Sequence, residues 1–139
     1  MAVSAGAVIF RREANRTLYL LLHYPAGHWD LVKGKIEKGE SPCETVLRET
    51  LEETGISDLR FIDGFQETIR YKFVRKGRTI HKRVIFFLAE SHTKKVTISD
   101  EHIGYIWLDL EGAVQKTTYN NARRMLTTAG AYLSTVSNA

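Results

Sequence analysis

Small and apolar residues run together at positions 3–10, and a second apolar run, TLYLLLH, fills positions 17–23. Both have the makings of buried strands, and the polar tetrapeptide Glu13-Ala14-Asn15-Arg16 between them predicts a hairpin. Beyond a loop through Pro25, Ala26 and Gly27, residues 29–32 form a further short stretch that leads into a segment bracketed by Gly34 and Gly39. Ser41-Pro42-Cys43-Glu44 predicts a helix start: Ser41 caps, Pro42 suits the first helical position, and Glu44 completes a capping box. Gly55 ends that helix, whose packing face is expected to be Cys43, Leu47, Thr50, Leu51 and Thr54. Residues 61–74 and 78–90 are rich in β-branched and aromatic residues and flank Arg75-Lys76-Gly77, a hairpin turn. The YIWL run at 105–108 predicts a short buried strand, 109–115 a helix start, and 119–133 a final amphipathic helix. Hairpins mixed with helices, without regular strand-helix alternation, predict an α/β fold of the mixed α+β kind: an α/β/α sandwich with a mixed β-sheet between helices.

A chain of 139 residues, 43% hydrophobic and 26% charged, suits one domain spanning 1–139. Cys43 is the only cysteine, so no internal disulfide can form, and a reducing cytoplasmic setting is expected. The first twenty residues lack the order of a signal peptide and no apolar run reaches membrane-spanning length, so no membrane partner is expected. A formal charge of +4 is compatible with nucleic acid, anionic lipid or a small polyanion as partner. Its distribution narrows the choice. Residues 37–53 hold six glutamates against Lys38 and Arg48, an acidic island of net −4 in an otherwise basic chain. A divalent cation facing a polyanionic substrate calls for that arrangement.

On a helix, Glu49, Glu52 and Glu53 fall within one arc because their offsets are three and four, so their carboxylates converge. Glutamates on a solvated face are the bland alternative, but like charges at this spacing cost the helix roughly a few tenths of a kcal/mol per pair. A hard cation such as magnesium, which takes carboxylate and phosphate oxygens, would offset that cost. The surrounding string GKIEKGESPCETVLRETLEETGI, residues 34–56, resembles the Nudix box. Gly34, Glu40, Arg48, Glu49, Glu52, Glu53, Gly55 and Ile56 stand at the motif's fixed places, with Thr50 where an aliphatic residue is usual. The resemblance implies a Nudix-type sandwich and a metal-dependent pyrophosphohydrolase. It further implies that Glu49, Glu52 and Glu53 bind Mg2+, with Mn2+ as a substitute, while Glu40 and the catalytic-site residue Arg48 brace the loop onto the helix. Gly34 and Gly39 would form the tight turns of that loop.

Outside the box, the chain is similar to the asymmetric diadenosine tetraphosphate hydrolases. The similarity rests on His28-Trp29, Lys33-Gly34, the FFLAE run at 86–90, and Ser99-Asp100-Glu101-His102 leading to Trp107; Val32 stands where a proline is common. This likeness implies that Glu101 is a further metal ligand or the base that activates water, with Glu49 as the competing base. It implies that Lys33 and Lys82 contact phosphates and that Tyr71 and Tyr119 stack on a purine. His23, His28, His81 and His102 are read as polar or locally bonded, since no pair has zinc spacing. The implied reaction is attack of water on phosphorus in diadenosine tetraphosphate, giving ATP and AMP. Other Nudix substrates stay open: a different dinucleoside polyphosphate, a nucleoside triphosphate, ADP-ribose or a capped RNA end. The basic run at 70–83 also admits a non-catalytic nucleotide- or RNA-binding module, against which the three convergent glutamates argue. Monomer and homodimer are equally compatible with the sequence.

Overall fold

Strand β1 (Ala2–Glu13) organises the sheet, and its two edges are used differently. The computed structural model describes residues 2–136, so Met1 and residues 137–139 of the expected 1–139 domain lie outside the described residues. One edge of β1 pairs in parallel with β7 (Arg78–Glu90), from Ala2↔Lys82 to Phe10↔Glu90. The antiparallel pairings of β1 are divided between two strands: β4 (Val32–Lys35) lies beside residues 4–7 and β2 (Arg16–His23) beside residues 10–13. As β1 and β2 diverge, β3 (Trp29–Asp30) pairs with Leu22 and His23 of β2, so the β3–β4 segment fills the wedge between them. Strand β5 (Arg60–Phe61) and the long β6 (Glu67–Arg75) pair with β7, and β8 (Gly104–Leu108) pairs with β2. The result is one eight-stranded mixed sheet in which β1–β7 is the parallel pair.

Period-two alternation sends neighbouring side chains of β1 to opposite faces. Val8 and Phe10 join Tyr19, Leu21, Val84, Phe86 and Leu88 beneath α2 (Leu110–Lys116) and α3 (Asn120–Val136), which contribute Ala113, Met125, Leu126, Ala129 and Leu133. Ala5, Ala7 and Ile9 join Leu20, Leu22 and Val32 beneath α1 (Pro42–Thr54), which contributes Val46. Helices therefore cover both faces, as expected. Truncating a fully buried residue such as Leu126 to alanine would cost ~2–5 kcal/mol.

Three local expectations are corrected. The stretch 61–74 is not one strand but β5, a loop and β6. Gly64 at φ 86° turns the chain, and the Asp63 carbonyl accepts from the Tyr132 hydroxyl at 2.6 Å. The stretch 29–32 is likewise split at Leu31, with its second part continuing to Lys35. On α1, Leu47 and Leu51 are 45% and 53% exposed, whereas Thr45, Val46, Thr50, Glu53 and Thr54 are buried. The helix is rolled so that Glu53 shares its packing face and Glu49 faces β4, which moves the leucines outward. The β6–β7 turn is as the sequence predicts: Lys76 and Gly77, at φ 51° and 74°, fit the left-handed pair that a two-residue turn joining right-twisted strands requires. Among the described residues, no helix is long and apolar enough to cross a membrane.

Candidate active site

The start of α1 is fixed by its cap. Ser41 Oγ accepts from the Glu44 backbone N–H at 3.2 Å, and the Glu44 carboxylate accepts from Ser41 N–H at 2.8 Å. With that register set, Glu49 points at β4. A Cβ on residue 34 would overlap the Glu49 carboxyl, so Gly34 serves close packing inside a strand, not the tight turn expected of it. Gly39 does turn the loop, at φ 85°.

Arg48 ties this loop to the helix. Its Nε and Nη2 donate to the two oxygens of Glu40 at 2.6 and 3.0 Å, and Nη2 also donates to the Lys35 carbonyl at 3.0 Å. Nη1 reaches Glu49 Oε1 at 2.8 Å, Glu52 Oε2 at 3.4 Å and Glu37 Oε1 at 3.4 Å. A fork of this kind fixes geometry as well as charge. The Arg48 bonds, followed by the Glu37 backbone N–H, hold the Glu40 carboxyl down at about 2.

Glu53 has a different setting. It is buried, its Oε2 finds no hydrogen-bond partner among the described residues, and its Oε1 lies 3.2 Å from His102 Nε2. That nitrogen is near but off the hydrogen-bond direction and is itself unpartnered. Burial first, then contact with Glu49 and the charges of Glu49, Glu101 and Glu52, push the Glu53 carboxyl up to about 9. Burial lowers the His102 imidazole, against the opposing pull of Glu101 and Glu49, so the contact is one between neutral groups near pH 7. His102 is held by its other side, with Nδ1 3.1 Å from Ser99 Oγ. Its loop runs along the end of α1: Thr97 N–H donates to the Thr54 carbonyl and Ser99 N–H to the Glu53 carbonyl, at 2.9 and 3.2 Å. Exposed Glu101 sits on this loop and adds its charge to the same region.

The charges of Glu49, Glu101 and Glu52 all act on Glu53, and carboxylate oxygens are donors of the type hard divalent cations take. Among the described residues, no three such groups are drawn together in metal-holding geometry; the Arg48 guanidinium instead pairs with Glu49 and Glu52. The partnerless Glu53 oxygen and the repulsion that suppresses its ionisation are what a bound cation would relieve.

A cleft of about 400 Å³ lies on the opposite face of β4, between the sheet and the start of α3. Lys33, Tyr71 and Tyr119 all line it, together with Asp30, Ile69 and Phe86. Consecutive residues of β4 serve both regions: Lys33 borders the cleft and Gly34 lies under Glu49. Lys33 is not a free cation, since its Nζ pairs with buried Asp30 at 2.9 Å. Lys82 is not in this cleft. It lines an adjoining recess with Arg70, Lys72 and His81, and Tyr71 belongs to both.

A family model described as NUDIX domain matches residues 1–129. The chain belongs to the NUDIX domain family. It is similar to the asymmetrical bis(5'-nucleosyl)-tetraphosphatase of Mus musculus, with 40% identity over 139 residues, covering 91% of this chain and 92% of the mouse protein. The crystal structure of a C. elegans Ap4A hydrolase binary complex superposes with a TM-score of 0.85 at 32% identity, covering 96% of this chain and 98% of that one. The dihydroneopterin triphosphate diphosphatase of Haemophilus influenzae is more distant, 27% identical over 86% of this chain and 82% of its own. Within this NUDIX chain, sequence reasoning undervalues the side chains linking the two regions. Tyr119 meets His28 at 5.4 Å between ring centroids, His28 stacks on Tyr24 at 4.6 Å, and Tyr24 packs edge-on to His102 at 4.4 Å. These rings form a continuous path from the cleft to Glu53. His28 and His102 are visible in the sequence only as members of the His28-Trp29 and Ser99–His102 segments that carry the resemblance, which gives neither a role, and Tyr24 has no signal at all.

Proposed function

We propose that this NUDIX protein hydrolyses a dinucleoside polyphosphate, diadenosine tetraphosphate above all, to ATP and AMP by attack of water on phosphorus. The observation that carries this reading is the pairing of two features across one short strand: an Arg48-organised glutamate cluster on one side of β4 and a tyrosine-lined cleft on the other. A substrate with purines at its ends and phosphates between them has the chemistry to span both. Its support from relatives is the 40% identity with the mouse enzyme over nearly the whole chain.

In this reading residues 1–139 act as one unit in the cytoplasm, where the single cysteine, Cys43, stays reduced. A Mg2+ ion, or Mn2+ in its place, held by Glu49, Glu52 and Glu53 would neutralise phosphate oxygens as charge develops on them. Arg48, anchored by Glu40, gathers Glu49 and Glu52 at the loop, and a bound cation would take these carboxylates over from the guanidinium. Tyr71 and Tyr119 offer ring faces to a purine, and Lys33 and Lys82 offer ammonium groups to the phosphates. Glu101, exposed to water at the mouth of the cluster, is the group we assign as base; Glu49, already engaged by Arg48, is the weaker choice.

The test is a substrate panel. With Mg2+, kcat/KM for diadenosine tetraphosphate should exceed that for ADP-ribose, nucleoside triphosphates and dihydroneopterin triphosphate, and EDTA should abolish turnover. A preference for any of the other three would reassign the substrate, and turnover unaffected by EDTA would overturn the metal assignment.

A further inference from the structure

The β6–β7 hairpin extends past the sheet as a two-stranded ribbon, and residues 70–83 hold seven lysines and arginines with no acidic residue. Set against a chain total of +4, the remainder of the protein is net acidic, so the positive excess resides in this ribbon. Among the described residues, none of the seven cations makes an ion pair with a carboxylate, unlike Arg48, Arg12, Arg60 and Lys33. Register sorts the side chains. Tyr71 faces Lys82, Phe73 faces Ile80 and Arg75 faces Arg78, so strand alternation puts two aromatics and three cations on one face. Tyr71 and Phe73 lie side by side, with centroids 6.4 Å apart, and Phe73 is 40% exposed. An aromatic of that size left open on a cationic ribbon has no packing role in the core.

We propose that this face binds single-stranded nucleic acid, with bases stacking on Phe73 and Tyr71 and phosphates meeting Arg75, Arg78 and Lys82. Stacking rings interleaved with cations, and no demand for a particular base, is the chemistry of sequence-tolerant single-strand binding. An anionic lipid surface would use the cations but not ordered ring faces. The ribbon from Arg70 to Arg75 is about 20 Å long, enough for a few nucleotides. The surface adjoins the cleft and shares Tyr71 and Lys82 with the proposed substrate contacts, but Phe73, Arg75 and Arg78, the residues the test alters, line neither the cleft nor the adjoining recess.

The experiment uses fluorescently labelled oligouridylate and oligothymidylate 12-mers, read by anisotropy over a salt series, with the wild-type chain, Phe73→Thr and the double variant Arg75→Thr/Arg78→Thr. Hydrolysis of diadenosine tetraphosphate, or thermal melting if that substrate is not turned over, confirms folding of each variant. We expect Phe73→Thr to weaken binding roughly fivefold or more with an unchanged salt slope. The double variant should flatten the slope of log K against log salt by about 1.4, some 0.7 for each arginine that no longer neutralises a phosphate. Equal affinity of all three proteins would overturn the proposal. So would complete displacement by excess AMP, which would assign binding to the cleft, or Phe73-independent binding to phosphatidylserine vesicles in preference to both oligomers.

Discussion

Glu53 and His102 meet in the interior with Oε1 and Nε2 3.2 Å apart, both side chains buried, and neither Nε2 nor the second carboxylate oxygen hydrogen-bonded. A charged carboxylate in that place costs the folded chain. Its raised proton affinity means that its contribution to stability is fully present below the unfolded value near 4.5 and is lost as pH rises through about 9. Glu53→Gln, which keeps the shape without the charge, is therefore expected to melt higher than the metal-free wild type at pH 8, with a gap that narrows toward pH 5. Each kcal/mol gained would read as about 4 °C in a chain of this size. Activity should fall roughly a hundredfold or more in the same variant. A melting curve indifferent to the substitution at pH 8 would contradict the buried-carboxyl reading.

On the metal assignment proposed above, the same raised value would tie metal uptake to proton release. Below about pH 9 a cation at Glu53 must displace a proton, so Mg2+ affinity should rise with pH across the neutral range. Calorimetric titration in buffers of different ionisation enthalpy is expected to show proton release near pH 7 in the wild type and its absence in Glu53→Gln.

The bidentate Glu40–Arg48 pair works in the opposite pH direction. Glu40 is lowered to about 2, so its contribution to stability is present above the unfolded value near 4.5 and disappears as pH falls through about 2. Glu40→Gln should be less stable than wild type at pH 7, with the difference shrinking below pH 4.5. Its kcat should drop roughly 10- to 100-fold, since Arg48 would lose the partner that fixes its hold on Glu49. Urea unfolding at pH 7 and pH 3 checks the first part, and steady-state kinetics the second.

Gly34→Ala would drive a methyl group into the Glu49 carboxyl. We expect a destabilisation of about 1–3 kcal/mol together with a loss of kcat that exceeds any change in KM, because the displaced group belongs to the glutamate cluster and not to the cleft. Unaltered kinetics would show that Glu49 has room to move without consequence.

At the cleft, Tyr119 is half exposed and leans on His28 alone among the rings. Tyr119→Ala should leave the melting temperature nearly unchanged and raise KM for an adenine nucleotide roughly fivefold or more, the effect of removing one stacking face. An unchanged KM would remove Tyr119 from the binding surface.

How far these relationships can be read from the sequence differs by scale. Most strand runs, the capping box at Ser41–Glu44 and the turn within Arg75-Lys76-Gly77 follow from short-range rules and are present, and the Glu40–Arg48 pair, implied by the resemblance to the Nudix box, is present too. Periodicity misplaces the roll of α1 because it assumes that carboxylates face water. Here Glu53 displaces Leu47 and Leu51 from the packing face, a reversal that hydrophobic patterning takes for an error. Gly34 reads as a turn residue because its true constraint, the approach of a helix fifteen residues later, is not local. The placement of Lys82 outside the cleft follows from strand register, and the His28–Tyr24–His102 path from long-range packing; neither leaves a trace in spacing.

The central claim is that the glutamate cluster and the tyrosine cleft act on one dinucleoside polyphosphate. Anion-exchange analysis of the products from diadenosine tetraphosphate and Mg2+ in oxygen-18 water tests it directly. The account predicts ATP and AMP in equal amounts, one of them carrying the label, and no products with EDTA. Two molecules of ADP, or no turnover under conditions where another nucleotide is hydrolysed, would contradict it.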